Sequence, residues 1–223
     1  MPVPPLPKVR ADLAATSRRL HQMGWVANHD GNLSVRLTGD RLLITPTAVS
    51  KADVDEGMLL VVDLDGKVLE GRRKPFSELE LHLAAFRARP EVDVVLHAHP
   101  PHATAWGLVG QELAPVAMAE VVVSLGDRIP TLPRAMPRTS EAVSLVEAAA
   151  AQFDAMLLQG NGALTLGVDL EQAFLRMELV EHYARILSAA RALGPVPPLP
   201  PSDVAKLLEA RKKAGLGPQA KKT

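Results

Sequence analysis

Short β-type runs joined by hairpin signals alternate with helical stretches along this chain, and that alternation limits the fold more than any other feature. Leu33 to Leu37 and Arg41 to Thr45 are separated by Thr38-Gly39-Asp40, which reads as a hairpin. Leu59 to Leu64 turns through Asp65-Gly66 into Lys67 to Leu69. Val92 to His99 is a nearly continuous apolar strand stopped by Pro100-Pro101, and the runs Ala155 to Leu158 and Ala163 to Leu166 flank Gln159-Gly160-Asn161-Gly162. Helical spacing appears from Arg10 to Met23, where Leu13, Ala14, Leu20 and Met23 recur before Gly24. Ser77 and Glu80 form a capping-box pattern for a helix running to Arg89. Thr139 opens another helix with Glu141 in its first turn, and a long one spans Leu170 to Leu193. A regular βαβ alternation is not evident. The pattern therefore predicts an α/β or α+β domain around a largely antiparallel or mixed sheet.

A chain of 223 residues makes one large domain, or one domain with an appendage. Gly194-Pro195-Val196-Pro197-Pro198-Leu199-Pro200-Pro201 is a stiff linker, after which Ser202 caps a short helix fading into Lys-rich coil. The expected division is a main domain over 1–193, then a Pro-rich linker and short basic helix or tail over 194–223. Lys and Arg match Asp and Glu, so nothing in the net charge points to nucleic acid or an anionic membrane. Lys212, Lys213, Lys221 and Lys222 read as a solvated tail. The start, Met1 to Pro7, has no signal-peptide core, and no apolar run approaches about 18 residues, so the expected location is cytoplasmic. There is no cysteine. Disulfides, thiolate zinc sites and cysteine nucleophiles are excluded together, and any metal must be held by His, carboxylate or amide oxygen.

The histidines are His21, His29, His82, His97, His99, His102 and His182. Residues i and i+2 of a strand share a face, so His97 and His99 present two imidazoles together where the strand breaks into loop. The spacing alone suits metal ligands or a hydrogen-bonded structural pair; the apolar run before it and the prolines after it favour ligands. Glu78 falls in the first turn of the predicted helix, where the helix dipole lowers its pKa, and it shares a face with His82 at i and i+4. His82 reads as a core or supporting residue. Two of the three asparagines sit beside glycine, in His29-Asp30-Gly31-Asn32 and Gly160-Asn161-Gly162. That pairing suits tight turns, or backbone N–H groups arranged for an anion such as phosphate.

Taken in order, five segments resemble the class II aldolase/adducin family, most of all its sugar-1-phosphate aldolases. They are Gly31-Asn32-Leu33-Ser34-Val35-Arg36, Leu43-Ile44-Thr45-Pro46-Thr47, Lys74-Pro75-Phe76-Ser77-Glu78 with His82, His97-Ala98-His99-Pro100, and Leu157-Leu158-Gln159-Gly160-Asn161-Gly162. The resemblance covers about residues 8 to 193. It implies a three-layer α/β/α domain with a central, mostly antiparallel sheet, and a homotetramer with active sites at subunit interfaces. It also implies Zn2+ or another divalent metal, and cleavage of a phosphorylated sugar, a sugar 1-phosphate, to dihydroxyacetone phosphate and an aldehyde through a metal-stabilised enediolate. Under that resemblance His97 and His99 are metal ligands, and Glu78 touches the metal and acts as acid/base. Gly31, Asn32, Thr47 and Ser77 match phosphate-binding positions.

The same comparison marks departures. Asn161 stands where the family has a third histidine, and an amide oxygen is a weaker donor, so zinc should bind less tightly. His102 is a candidate substitute. Phe76 replaces a phosphate-contacting serine, Ala48 replaces a glycine, and His29 stands at a phosphate-contacting threonine. Tyr183 is the only tyrosine, so the loops and tail supply no tyrosine proton donor. Related family chemistry offers an epimerase, dehydratase or decarboxylase of a small substrate as the alternative, and adducin offers a non-enzymatic assembly module.

Overall fold

The computed structural model describes residues 5–218. The readings placed on Met1 to Pro4, Lys221 and Lys222 lie outside the described residues. The chain runs α1 (Leu6–Gln22), β1 (Asn32–Arg36), β2 (Arg41–Ile44), β3 (Leu60–Asp63), β4 (Val68–Glu70), α2 (Leu79–Ala88), β5 (Val94–Ala98), α3 (Pro101–Leu108) and α4 (Ala119–Leu125). It continues through β6 (Thr131–Leu132), α5 (Ser140–Ala150), β7 (Ala155–Leu158), β8 (Ala163–Gly167), α6 (Leu170–Leu193) and α7 (Pro201–Lys213). The strands form one sheet in the order β4-β3-β2-β1-β5-β8-β7-β6. Its pairings are antiparallel apart from β6 with β7.

Strand alternation gives the sheet two apolar faces, and helices cover both. Leu33, Val35, Val94, Leu96, Ala98 and Ala163 pack with α1, α3 and α6 residues such as Leu13, Ala103, Phe174 and Tyr183. Leu42, Ile44, Val95, Leu164 and Leu166 face the other way, against Phe86 of α2 and Val146 of α5. Helix–sheet–helix is thus the architecture, as the resemblance implied. The alternation also puts His97 on the α2/α5 side, because its neighbours Leu96 and Ala98 point to the opposite face. Register brings Asn32 opposite His97, and His97 opposite Leu164.

Several local expectations are corrected. α2 begins at Leu79 with Glu78 as its N-cap residue, and no side chain caps it. The N-cap position falls on Glu78 rather than Ser77, so the Ser77–Glu80 capping box does not form. The Glu78 carboxylate faces Asn32 and Asn161 instead, two amide donors that outcompete the helix N–H groups for it. Pro100-Pro101 does not simply stop the chain. Pro101 starts α3, because its fixed φ suits a first helical position whose N–H is unpaired anyway. The capping carboxylate comes from α6: Glu181 accepts from the backbone N–H groups of His102 at 3.2 Å and Ala103 at 2.9 Å. Pro200 rather than Ser202 precedes α7, whose Arg211 is buried.

Candidate active site

Three chain segments meet where β5 ends. His97 lies in β5 and His99 one residue beyond it, held by its backbone N–H donating to the Trp25 carbonyl at 2.8 Å. Their rings stand at 72° with centroids 5.0 Å apart, and the two Nε2 atoms are 3.2 Å apart. Two nitrogens sharing a tetrahedral ion with 2.0–2.1 Å bonds lie about 3.3 Å apart. The tautomers point the same way. His97 Nδ1 is 3.0 Å from the Ala163 carbonyl, which only accepts, so in the neutral ring, the form that could hold a metal, the proton sits on Nδ1 and the Nε2 lone pair faces His99. His99 Nδ1 lies 3.6 Å from Asp30 Oδ2, which favours the same arrangement. Two facing lone pairs are an arrangement that suits a cation.

Glu78 stands beside this pair. Its Oε2 is 3.5 Å from His97 Nε2 and accepts from Asn32 Nδ2 at 3.0 Å, while Oε1 accepts from Asn161 Nδ2 at 2.5 Å. Burial pushes its pKa up, but the charge of His97 and the hydrogen bonds of Asn161 and Asn32 outweigh it and bring the pKa down to about 2. These groups, rather than a helix dipole, keep it anionic. Among the described residues no three His, Asp or Glu side chains are grouped to hold an ion as they stand. The convergent donors are the two imidazoles, with Glu78 drawn off by its amide partners. The chemistry of that donor set fits a divalent ion, to which Glu78 or an amide oxygen would have to be added.

Asn161 sits in the β7–β8 turn, its backbone N–H donating to the Leu158 carbonyl at 2.8 Å. His102 is half-buried at the start of α3, and no described contact joins its ring to His97, His99 or Glu78. His82 is fully buried and meets Ser34 Oγ through Nδ1 at 2.8 Å, while its Nε2 has no partner. Burial, and then the charge of His97, lower its pKa to about 3 against the opposing pull of Glu78. His82 therefore stays neutral behind Glu78.

The four phosphate candidates lie on abutting segments. Pro46 bridges Pro75, and the Thr47 backbone N–H donates to the Lys74 carbonyl at 3.0 Å, bringing Thr47 beside the Ser77 segment. Leu33 N–H donates to Thr45 Oγ1 at 3.1 Å, tying Gly31 and Asn32 to the same place. Gly31 has φ +71°, and a Cβ there would lie 2.4 Å from Val26 Cγ1. Ala48 keeps the left-handed conformation (φ +56°) that a glycine would take more easily. Phe76 is buried and meets the His82 ring edge-on at 4.9 Å, so it packs into the core instead of lining the cleft. Tyr183 is also structural: its hydroxyl donates to the Pro115 carbonyl and accepts from Ala117 N–H at 2.9 Å. Sequence reasoning missed Asp30, which meets His99, and Ser34, which meets His82, because these pairings are long-range and leave no mark in local spacing.

A family model, Class II Aldolase and Adducin N-terminal domain, matches residues 11–188. The chain is an enzyme of the class II aldolase and adducin family, and its activity class is that of a lyase. It is similar to the L-fuculose phosphate aldolase of Escherichia coli (strain K12), 32% identical over 210 residues covering 94% of this chain and 96% of that protein. The 5-deoxy-D-ribulose 1-phosphate aldolase of Bacillus thuringiensis serovar kurstaki is 26% identical over 215 residues, covering 96% and 99%. Among solved structures, an L-fuculose 1-phosphate aldolase superposes with a TM-score of 0.86 at 28% identity, covering 92% of this chain and 96% of that one. No described helix is long and apolar enough to cross a membrane.

Proposed function

We propose that this enzyme is a metal-dependent aldolase that cleaves a ketose 1-phosphate to dihydroxyacetone phosphate and a small aldehyde. The observation that carries the reading is the convergence of His97 and His99 Nε2 at 3.2 Å, with the anionic Glu78 beside them. Relatives named for fuculose phosphate and 5-deoxyribulose 1-phosphate aldolase support a phosphorylated sugar with a deoxygenated end as substrate class.

His97 and His99 would hold the divalent ion, with Glu78 and the amide of Asn161 nearest as further donors. When bound, the ion would act as a Lewis acid on the ketose carbonyl, where negative charge develops as the carbon–carbon bond breaks. Gly31, Asn32, Thr47 and Ser77 bind and orient the phosphate, which fixes the reacting carbons against Glu78. In the condensation direction Glu78, anionic at rest, removes a proton from C3 of dihydroxyacetone phosphate; in cleavage it returns one there. Ser34 and His82 support the wall behind that carboxylate. We extend the family's assembly to this chain as a homotetramer with active sites at subunit interfaces, which light scattering would test.

The competing reading is an epimerase, dehydratase or decarboxylase on the same scaffold, which a Phe76 lining the cleft and the amide of Asn161 at a ligand position would favour. Phe76 is buried, so of these two residues only Asn161 still speaks for it. Incubating the metal-loaded enzyme with L-fuculose 1-phosphate and 5-deoxyribulose 1-phosphate separates the two. Release of dihydroxyacetone phosphate that stops on chelation is expected, with Glu78→Gln lowering kcat by roughly 10²–10⁴. Loss of water or carbon dioxide, or activity indifferent to chelation, would count against the aldolase.

A further inference from the structure

Lys51 is 1% exposed, which is rare for a lysine. Its ammonium donates to the carbonyls of Val49 at 3.0 Å and His29 at 3.3 Å. An ammonium has three N–H donors, so one is left over. Lys51 forms no ion pair among the described residues, and Asp30 supplies a favourable charge without contacting it. Burial pulls its pKa below the ordinary lysine value against the pull of Asp30. A buried cation without a contacting anion is costly, and such a charge persists where a ligand supplies the anion.

The two carbonyls that hold Lys51 belong to the two loops already tied to the site. One leads through Gly31 to Asn32, and the other follows Thr47. Both turn through left-handed backbone, at Gly31 and Ala48. Among the described hydrogen bonds none uses the N–H groups of Gly31, Ala48 or Val49, whereas that of Thr47 is spent on Lys74. Unspent amides in left-handed turns form concave anion sites. Gly31, Asn32, Thr47 and Ser77 carry no positive charge to match a phosphate dianion, and the neighbouring Arg72, Arg73 and Lys74 are exposed to solvent.

We propose that Lys51 is the cationic member of the phosphate subsite: its ammonium joins the two loops into one cradle and holds a positive charge behind the amides that meet the phosphate. This rests on the sugar-phosphate reading above. Lys51 is thereby a specificity residue, separating phosphorylated from neutral ketoses.

The test is calorimetric binding to the zinc-loaded protein of dihydroxyacetone phosphate, neutral dihydroxyacetone and inorganic phosphate. Lys51→Met is expected to weaken both phosphates by about 30-fold and dihydroxyacetone by no more than about twofold, with Lys51→Arg recovering part of the loss. Equal weakening of charged and neutral ligands would reduce Lys51 to a loop tie and overturn the proposal, as would unchanged phosphate binding. If Lys51→Met does not fold, the wild-type Lys51 ammonium resonance, assigned by its loss in Lys51→Arg, must shift on phosphate saturation; no shift overturns the proposal. Turnover of ketose phosphates without Lys51-dependent binding sinks this inference and leaves the aldolase standing. Lys51-dependent phosphate binding without turnover supports the inference and sinks the aldolase.

Discussion

Asn161 donates its side-chain amide to Glu78 Oε1 at 2.5 Å, at the corner where family order placed a third histidine. An amide there serves the carboxylate and gives an ion only a weak oxygen. Replacing it should exchange one property for the other. In Asn161→His, zinc affinity measured by chelator competition is expected to rise by at least about tenfold, the size that even outer partners of metal ligands contribute. Glu78 loses one of its two amide donors in that variant, so its pKa moves up. Zinc binding no tighter than wild type would remove position 161 from the metal's surroundings.

His82 makes the fold sensitive to acid. It binds a proton near 6.5 when unfolded and only near about 3 when folded, because burial and His97 disfavour the imidazolium. Its contribution to stability is therefore complete above pH 6.5 and is lost as pH falls from 6.5 towards 3, by at most about 1.4 kcal/mol per pH unit. Glu78, held at about 2 against 4.5, acts in a lower window: its contribution is complete above 4.5 and fades from there towards 2. His99, whose pKa burial also lowers, adds to the slope below 6.5. Urea unfolding of the metal-free protein between pH 6.5 and 5 is expected to show this decline, and His82→Asn to flatten it. A slope identical in the variant would show that His82 titrates freely.

The hairpins were legible because their signals are local: Thr38-Gly39-Asp40, Asp65-Gly66 and Gln159 to Gly162 each join strands that pair in the sheet. α3 was not, because the carboxylate that caps it is Glu181, far along the chain on α6. β6 has two residues amid prolines and carries no periodicity to read. In the site, the side-by-side placement of His97 and His99 was legible from strand geometry, whereas a ligand role was not, because the same spacing suits a hydrogen-bonded pair. Glu78 was picked out for the wrong physical reason, since two distant amides and His97 set its charge. Lys51 and Asp30 were invisible, because a lone charged residue in a loop looks the same whether the fold buries it or leaves it in water.

Asp154 is fully buried among three guanidiniums, Arg89 at 3.0 Å, Arg176 at 2.9 Å and Arg211 of α7. Arg176 is brought down to about 10, by burial first and by Arg211 and Arg89 as well, with Asp154 opposing. Asp154 thus bridges three mutually repelling cations, of which Arg89 is also paired with Glu91. Asp154→Asn is expected to cost about 3–5 kcal/mol in urea unfolding, the cost of leaving buried charges without their partner. Arg211→Met removes one of the repelling cations and is expected to cost less, despite losing the bond to the Val123 carbonyl. The reverse order would mean that docking of α7, not compensation of charge, is what Asp154 provides.

Gly162 and Gly39 separate backbone strain from placement of the His97–His99 pair. Their φ values are +69° and +71°, so alanine at either costs about 1–2 kcal/mol of left-handed strain. Around Gly39 a Cβ meets nothing within 4 Å; at Gly162 it would lie 2.3 Å from the Ala98 carbonyl oxygen and 2.6 Å from His99 Cδ2. Gly162→Ala must therefore move the His99 ring or the strand end that carries it, and either shift breaks the 3.2 Å match of the two Nε2 atoms. Expected by thermal melting is a modest loss in Gly39→Ala and a larger one in Gly162→Ala; at a temperature where both are folded, zinc affinity is expected to be unchanged in Gly39→Ala and reduced by at least about tenfold in Gly162→Ala. Equal zinc affinity in the two would mean that the ion does not depend on where His99 stands, and the pair would lose its claim as a shared metal site.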